Sequence, residues 1–116
     1  MFEALLPIPP SVNAAYRAVN GRVIKSARYR AWSAEAEQAL KSQIETIAPM
    51  TGRLIVHYGF GFPDKRRRDI ANFEKALSDF LEESGVYLND CQIDDMRMTR
   101  LNTGNGVYVT IKEIQP

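Results

Sequence analysis

One cysteine, Cys91, one histidine, His57, and one tryptophan, Trp32, occur among 116 residues. A single cysteine closes no disulfide within the chain, and one Cys with one His falls short of a tetrahedral zinc site. That usage suits a reducing compartment. Long apolar runs are lacking too. No stretch approaches the roughly 20 apolar residues of a membrane span, and "MFEALLPIPP" carries Glu3 without a basic leader, so it does not read as a secretion signal. The expectation is a soluble, cytoplasmic protein with no membrane contact. Repeats and low-complexity tracts are also missing. A chain of this length has room for one modest core, so a single globular domain over residues 1–116 is expected.

Nor does charge of one sign dominate, since 15 Lys and Arg stand against 14 Asp and Glu. The distribution says more than the sum. Cations gather at Lys65 to Arg68 and again at Arg17, Arg22, Lys25, Arg28 and Arg30, whereas acids gather at Asp79 to Glu83 and Asp90 to Asp95.

The patterning predicts a first strand from Phe2 to Ile8, stopped by Pro9-Pro10. A polar loop follows, with a small hairpin around Asn20-Gly21. Ser26 can cap a helix running to about Ile47, because Tyr29, Trp32, Ala36, Leu40, Ile44 and Ile47 recur at helical spacing before Pro49. In "RLIVHYGFGF", Leu54, Val56, Tyr58, Phe60 and Phe62 alternate with Ile55, His57, Gly59 and Gly61, the mark of a central strand. A second helix should begin near Asp69, bury Ile70, Phe73, Leu77, Phe80 and Leu81 on one stripe, and end around Ser84-Gly85. Strands from Ile93 to Leu101 and from Val107 to Ile111 should flank the turn "NTGNG". The fold class expected is α+β, a mixed sheet with two main helices on one face.

The stretch "DKRRRDIANFEK" sets four consecutive cations against Asp69 at the start of that second helix. A helix from 69 to 84 is about 22 Å long, and residues 85 to 90, if extended, return about 20 Å. The spacing therefore permits Asp90 to meet Asp69 beside the basic cluster. Hard oxygen ligands held close together suit a divalent metal that activates water for phosphodiester cleavage, which makes Asp69 and Asp90 candidates. Lys75 could neutralise charge on a scissile phosphate, and the arginines could grip neighbouring phosphates. Taken separately, the same pieces also read as a solvated basic face, a helix cap at Asp69 and a turn at Asp90. His57, opposite the aromatics of its strand, reads as a structural or helix-packed residue. Trp32 reads as core, and Cys91 as a thiol without a partner.

The order of the pieces goes further. "PDKRRRDIANFEKALSDFLEESGVYLNDCQIDDMRM", together with "PIPPSVNAAYR" near the start, resembles the RusA family of Holliday junction resolvases. The resemblance implies a small homodimeric, magnesium-dependent endonuclease of DNA recombination and repair, found in bacteria and their phages or prophages. Such enzymes bind four-way DNA junctions and nick two strands symmetrically. It implies that Asp69 is the first catalytic acid, Asp90 the third and Lys75 the catalytic lysine, that Asp69 and Asp90 hold Mg2+, and that Asn72 is the family's asparagine. It further implies DNA contacts from Lys65, Arg66, Arg67 and Arg68, and from Asn13 and Arg17 in the loop after the first strand. Position 71 departs, with alanine where the family has aspartate. The chain is therefore expected to be a catalytically impaired resolvase. The alternatives are a naturally non-catalytic junction-binding protein and a protein-interaction domain whose charged loops are merely solvated.

Overall fold

A computed structural model describes residues 1–114. Strand β1 (Phe2–Leu6), two residues shorter than the expected Phe2 to Ile8, leads through a proline-rich segment into the short helix α1 (Val12–Ala15) and the hairpin β2 (Tyr16–Val19) and β3 (Arg22–Lys25). Helix α2 (Ala27–Gln43), strand β4 (Leu54–Gly61), a 3-10 turn (Ile70–Phe73) running into helix α3 (Glu74–Glu83), a second 3-10 turn (Asp90–Gln92) and strands β5 (Ile93–Arg100) and β6 (Gly106–Glu113) complete the order. The main sheet runs β1-β6-β4-β5, with β4 and β5 parallel and the other pairs antiparallel. A parallel neighbour needs a crossover, and α3 supplies it.

Local chemistry accounts for most of these elements. Ser26 caps α2, its Oγ accepting the Tyr29 N–H at 3.1 Å. The hairpin turns on Asn20 and Gly21, both at positive φ, the conformation a two-residue type I′ turn demands. Gly85, also at positive φ, ends α3. Helix α2 stops at Gln43, short of the expected Ile47, because Ile44 turns extended while still packing on the core. The Gln43 amide folds back on β1, its Oε1 accepting from Leu5 N–H and its Nε2 donating to Leu5 O, each at 2.7 Å. Asp69 likewise starts a 3-10 turn, not the expected α-helix, and α-helical geometry sets in only at Glu74.

Leu54, Val56, Tyr58 and Phe60 of β4 meet Ala36 and Leu40 of α2 and Leu77, Phe80 and Leu81 of α3 in one buried cluster. Each fully buried Val, Leu or Phe side chain among them is worth about 1.5–3 kcal/mol. Trp32 joins it edge-on to Phe80, ring centroids 5.2 Å apart, with Nε1 donating to Pro7 O at 3.0 Å. The fold is α+β, both long helices covering one face. The opposite face is open. Leu5, His57 and Tyr108 are exposed there, which corrects the helix-packed reading of His57; its Nε2 lies 2.9 Å from Thr99 Oγ1.

Candidate active site

The chain leaves β4 at its C-terminal end and enters the basic loop there, so that loop and the start of α3 belong to one end of the sheet. Gly61 permits the crossing of the 101–106 turn, because a Cβ at that position would lie 2.6 Å from Thr103 O. Helix α1 packs against both the 3-10 turn and α3. The structure therefore gathers Asn13, Asp69, Ala71, Asn72 and Lys75 at one end. Asp69, Ala71 and Asn72 are all exposed. The Asp69 carboxylate caps the turn, Oδ1 accepting the Ala71 N–H at 3.1 Å. Arg17 is exposed on β2 of the neighbouring hairpin.

The four cations of the basic loop have different duties. Arg68 forks onto Asp64, Nη1 to Oδ1 at 2.7 Å and Nη2 to Oδ2 at 3.2 Å. It also lies over the Phe62 ring, 4.7 Å from its centroid, and Arg100 lies over the same ring at 5.1 Å. Arg100 Nη2 donates to Arg66 O at 3.0 Å, which ties the loop to the end of β5. Among the described residues neither Lys65 nor Arg67 has an ionic partner, and Arg66 stays mostly exposed 3.6 Å from Asp64. A cleft of about 510 Å³ runs between Pro9 and Pro10, Arg28 and Trp32 of α2, and the loop residues Phe62 and Arg66. The proline element and the basic loop thus form two walls of one cationic groove.

Lys75 does not float. Its Nζ donates to Asp79 Oδ2 at 3.2 Å and sits 5.0 Å from the centre of the Tyr16 ring. Tyr16 O–H donates to the same Asp79 oxygen. Sequence reasoning passed over both Tyr16 and Asp79. The i,i+4 spacing of Lys75 and Asp79 was a usable signal, whereas Tyr16 is 63 positions away from Asp79.

Asp90 is not brought to this end. Its backbone N–H donates to Glu82 Oε1 at 2.8 Å, beside the last turn of α3. The helical path from Asp69 to Glu82 covers about 20 Å, so the return of Asp90 to Asp69 that the spacing permits does not happen within one chain. The cause is Gln92, which is buried. Its Oε1 accepts from Leu88 and Asn89 N–H, and its Nε2 donates to Met50 O and Gly52 O, all at 2.8–2.9 Å. Those contacts clamp residues 88–92 to the segment entering β4, the end of the sheet opposite the basic loop.

The family model for endodeoxyribonuclease RusA matches residues 7–112. The chain belongs to the RusA family. It is 33% identical to the crossover junction endodeoxyribonucleases RusA of Escherichia coli (strain K12) and Shigella sonnei (strain Ss046) and to that of Enterobacteria phage 82, the aligned region covering 97% of this chain and 95% of each relative. The matched span runs from Pro7, just after β1, to Lys112, one residue short of the end of β6. A divalent cation needs converging hard donors. Among the described residues no group of three or more His, Cys, Asp or Glu could hold a metal ion, Asp69 and Asp90 stand at opposite ends, and position 71 contributes a methyl group. Among the described residues, too, no helix is long and apolar enough to cross a membrane.

Proposed function

We propose that this RusA-family chain binds four-way DNA junctions as a homodimer and is a magnesium-dependent junction-resolving endonuclease whose cutting is impaired by Ala71. The observation that carries the reading is the family match over residues 7–112, with the basic loop, Asp69 and Lys75 assembled at one exposed end of the sheet. The outward cations Lys65, Arg66 and Arg67 grip backbone phosphates, and Arg17 and Asn13 extend the surface. Lys75 offers a fixed positive charge to the phosphate under attack. Asp69 supplies one carboxylate. The remoteness of Asp90 in the same chain supports a two-fold pair, in which the second copy brings its own Asp90 toward this Asp69 and two such sites face two strands.

The test measures binding and cutting separately. The chain as it stands should bind a four-way junction with steep salt dependence and should nick it very poorly. Ala71→Asp, which places a carboxylate at an exposed position, should confer magnesium-dependent paired nicking that Asp90→Asn then abolishes. If Ala71→Asp folds and binds junctions but stays inert, the impaired-enzyme reading fails and the naturally non-catalytic junction binder takes its place. Weak binding without salt dependence would remove both and leave an interaction domain.

A further inference from the structure

Tyr16 and Lys25 stand directly opposite each other in the hairpin. Both reach α3, Tyr16 to Asp79 and Lys25 to Glu83. Asp79 and Glu83 are one helical turn apart, so the hairpin docks on two successive turns of the helix that carries Lys75. Tyr16 is further fixed from behind by Tyr29, ring centroids 5.8 Å apart. We infer that Asp79 and Tyr16 are positioning residues that hold the Lys75 ammonium in place for a DNA phosphate, coupling the hairpin to the lysine; this rests on the role proposed for Lys75 above.

An exposed lysine side chain gives up much rotamer freedom when it is held in one place, and a lone i,i+4 pair on a helix surface offsets only a fraction of that loss. Lys75 has more than a lone pair. The Asp79 carboxylate is itself held by the Tyr16 hydroxyl, and the Tyr16 ring face supplies a second, independent contact to Nζ. Burial, and then the hydrogen bond to Asp79, push the Tyr16 hydroxyl far above its ordinary titration range. A phenol is protonated at neutral pH even without that shift, so the hydroxyl serves Asp79 as a donor there. The result is an ammonium oriented before substrate arrives, which removes an ordering cost from the bound state.

Two measurements test this. In the free chain, 13C relaxation at Cε should show Lys75 more ordered than Lys65, which has no ionic partner among the described residues; Tyr16→Phe, which keeps the ring and the ion pair but frees the Asp79 carboxylate from its hydroxyl, should lower that order part-way, and Asp79→Asn should lower it further. Tyr16→Phe keeps the ring and so keeps the hairpin packing should Asp79→Asn fail to fold. In the Ala71→Asp chain with magnesium, the same substitutions should slow single-turnover junction cutting about 10- to 100-fold with junction affinity unchanged. Unchanged Lys75 order in folded Tyr16→Phe overturns the inference. An inert Ala71→Asp chain would count against the proposed activity alone, since the relaxation measurement needs neither DNA nor magnesium.

Discussion

Arg68 and Asp64 face each other fork to fork across four residues, each guanidinium Nη donating to its own carboxylate oxygen. The bidentate geometry and the Phe62 ring beneath it leave the Arg68 side chain only 16% exposed. One of the four cations is thus occupied in shaping the loop, and the other three are presented by it.

The Asp64 carboxyl should titrate low. The Arg68 side chain, and then the Arg66 backbone N–H, hold its pKa at about 2, against 3.8 for an unperturbed group. A folded-state pKa below the unfolded value means that the contribution is present above pH 3.8 and is lost as pH falls through about 2. An NMR pH titration of the Asp64 carboxyl should find the low midpoint, and Arg68→Ala should return it toward 3.8. A midpoint near 3.8 in the unaltered chain would contradict the fork.

DNA affinity should divide along the same line. Replacing Arg66 and Arg67 with alanine should weaken junction binding for every sequence tested, and the slope of log K against log salt should fall by about 1 for each phosphate no longer neutralised. Fluorescence anisotropy over a salt series reads both. Unaltered affinity and slope would move the DNA surface away from this loop.

Gln92 should matter for stability more than its place in an acidic turn suggests. Gln92→Ala leaves two backbone donors and two backbone acceptors without their partner. The expected loss is about 2–4 kcal/mol in urea unfolding, a large share of what holds a domain of this size together. A loss within about 0.5 kcal/mol, the scale of an ordinary surface substitution, would show that water replaces the amide there.

The separation of Asp69 from Asp90 makes a prediction about mixed chains. In the Ala71→Asp background, Asp69→Asn and Asp90→Asn chains should each be inert alone. When the two are unfolded and refolded together, mixed dimers should nick one strand of a junction, because one of the two shared sites then holds both acids. Failure of the mixture, with mixed dimers demonstrated by mass, would place both acids of a site in one chain.

Much of this could be read from the residues. Ser26, Asn20-Gly21 and Gly85 declare themselves through requirements on the local backbone, and the alternation of Leu54 to Phe60 declares the buried strand. Other features depend on where distant segments meet. Ile44 and Ile47 continue the spacing of α2 and are half-buried against the core, yet they lie beyond the end of the helix; spacing records which residues face the core and is silent on the backbone that presents them. The six residues from Gly85 to Asp90 have the length to reach Asp69, but length sets no direction, and the direction is chosen by Gln92 gripping Met50 and Gly52. The tie between Tyr16 and Asp79 joins residues with no local relation and becomes visible only when the hairpin docks on α3.

The amide of Gln43 bears on how these molecules behave in a crowd. β1 is an edge strand, and unpaired peptide groups on such an edge are a template on which a stray chain can build fibrous aggregate. By occupying both peptide groups of Leu5, Gln43 acts as a one-residue mock neighbour on that edge, next to the strand's last residue. On the far side, β5 presents Asp94, Asp95, Arg97 and Arg100, charges that discourage strand addition there. Gln43→Ala should therefore leave activity alone and shorten the shelf life of concentrated protein, with light scattering rising over days while the unaltered chain stays clear.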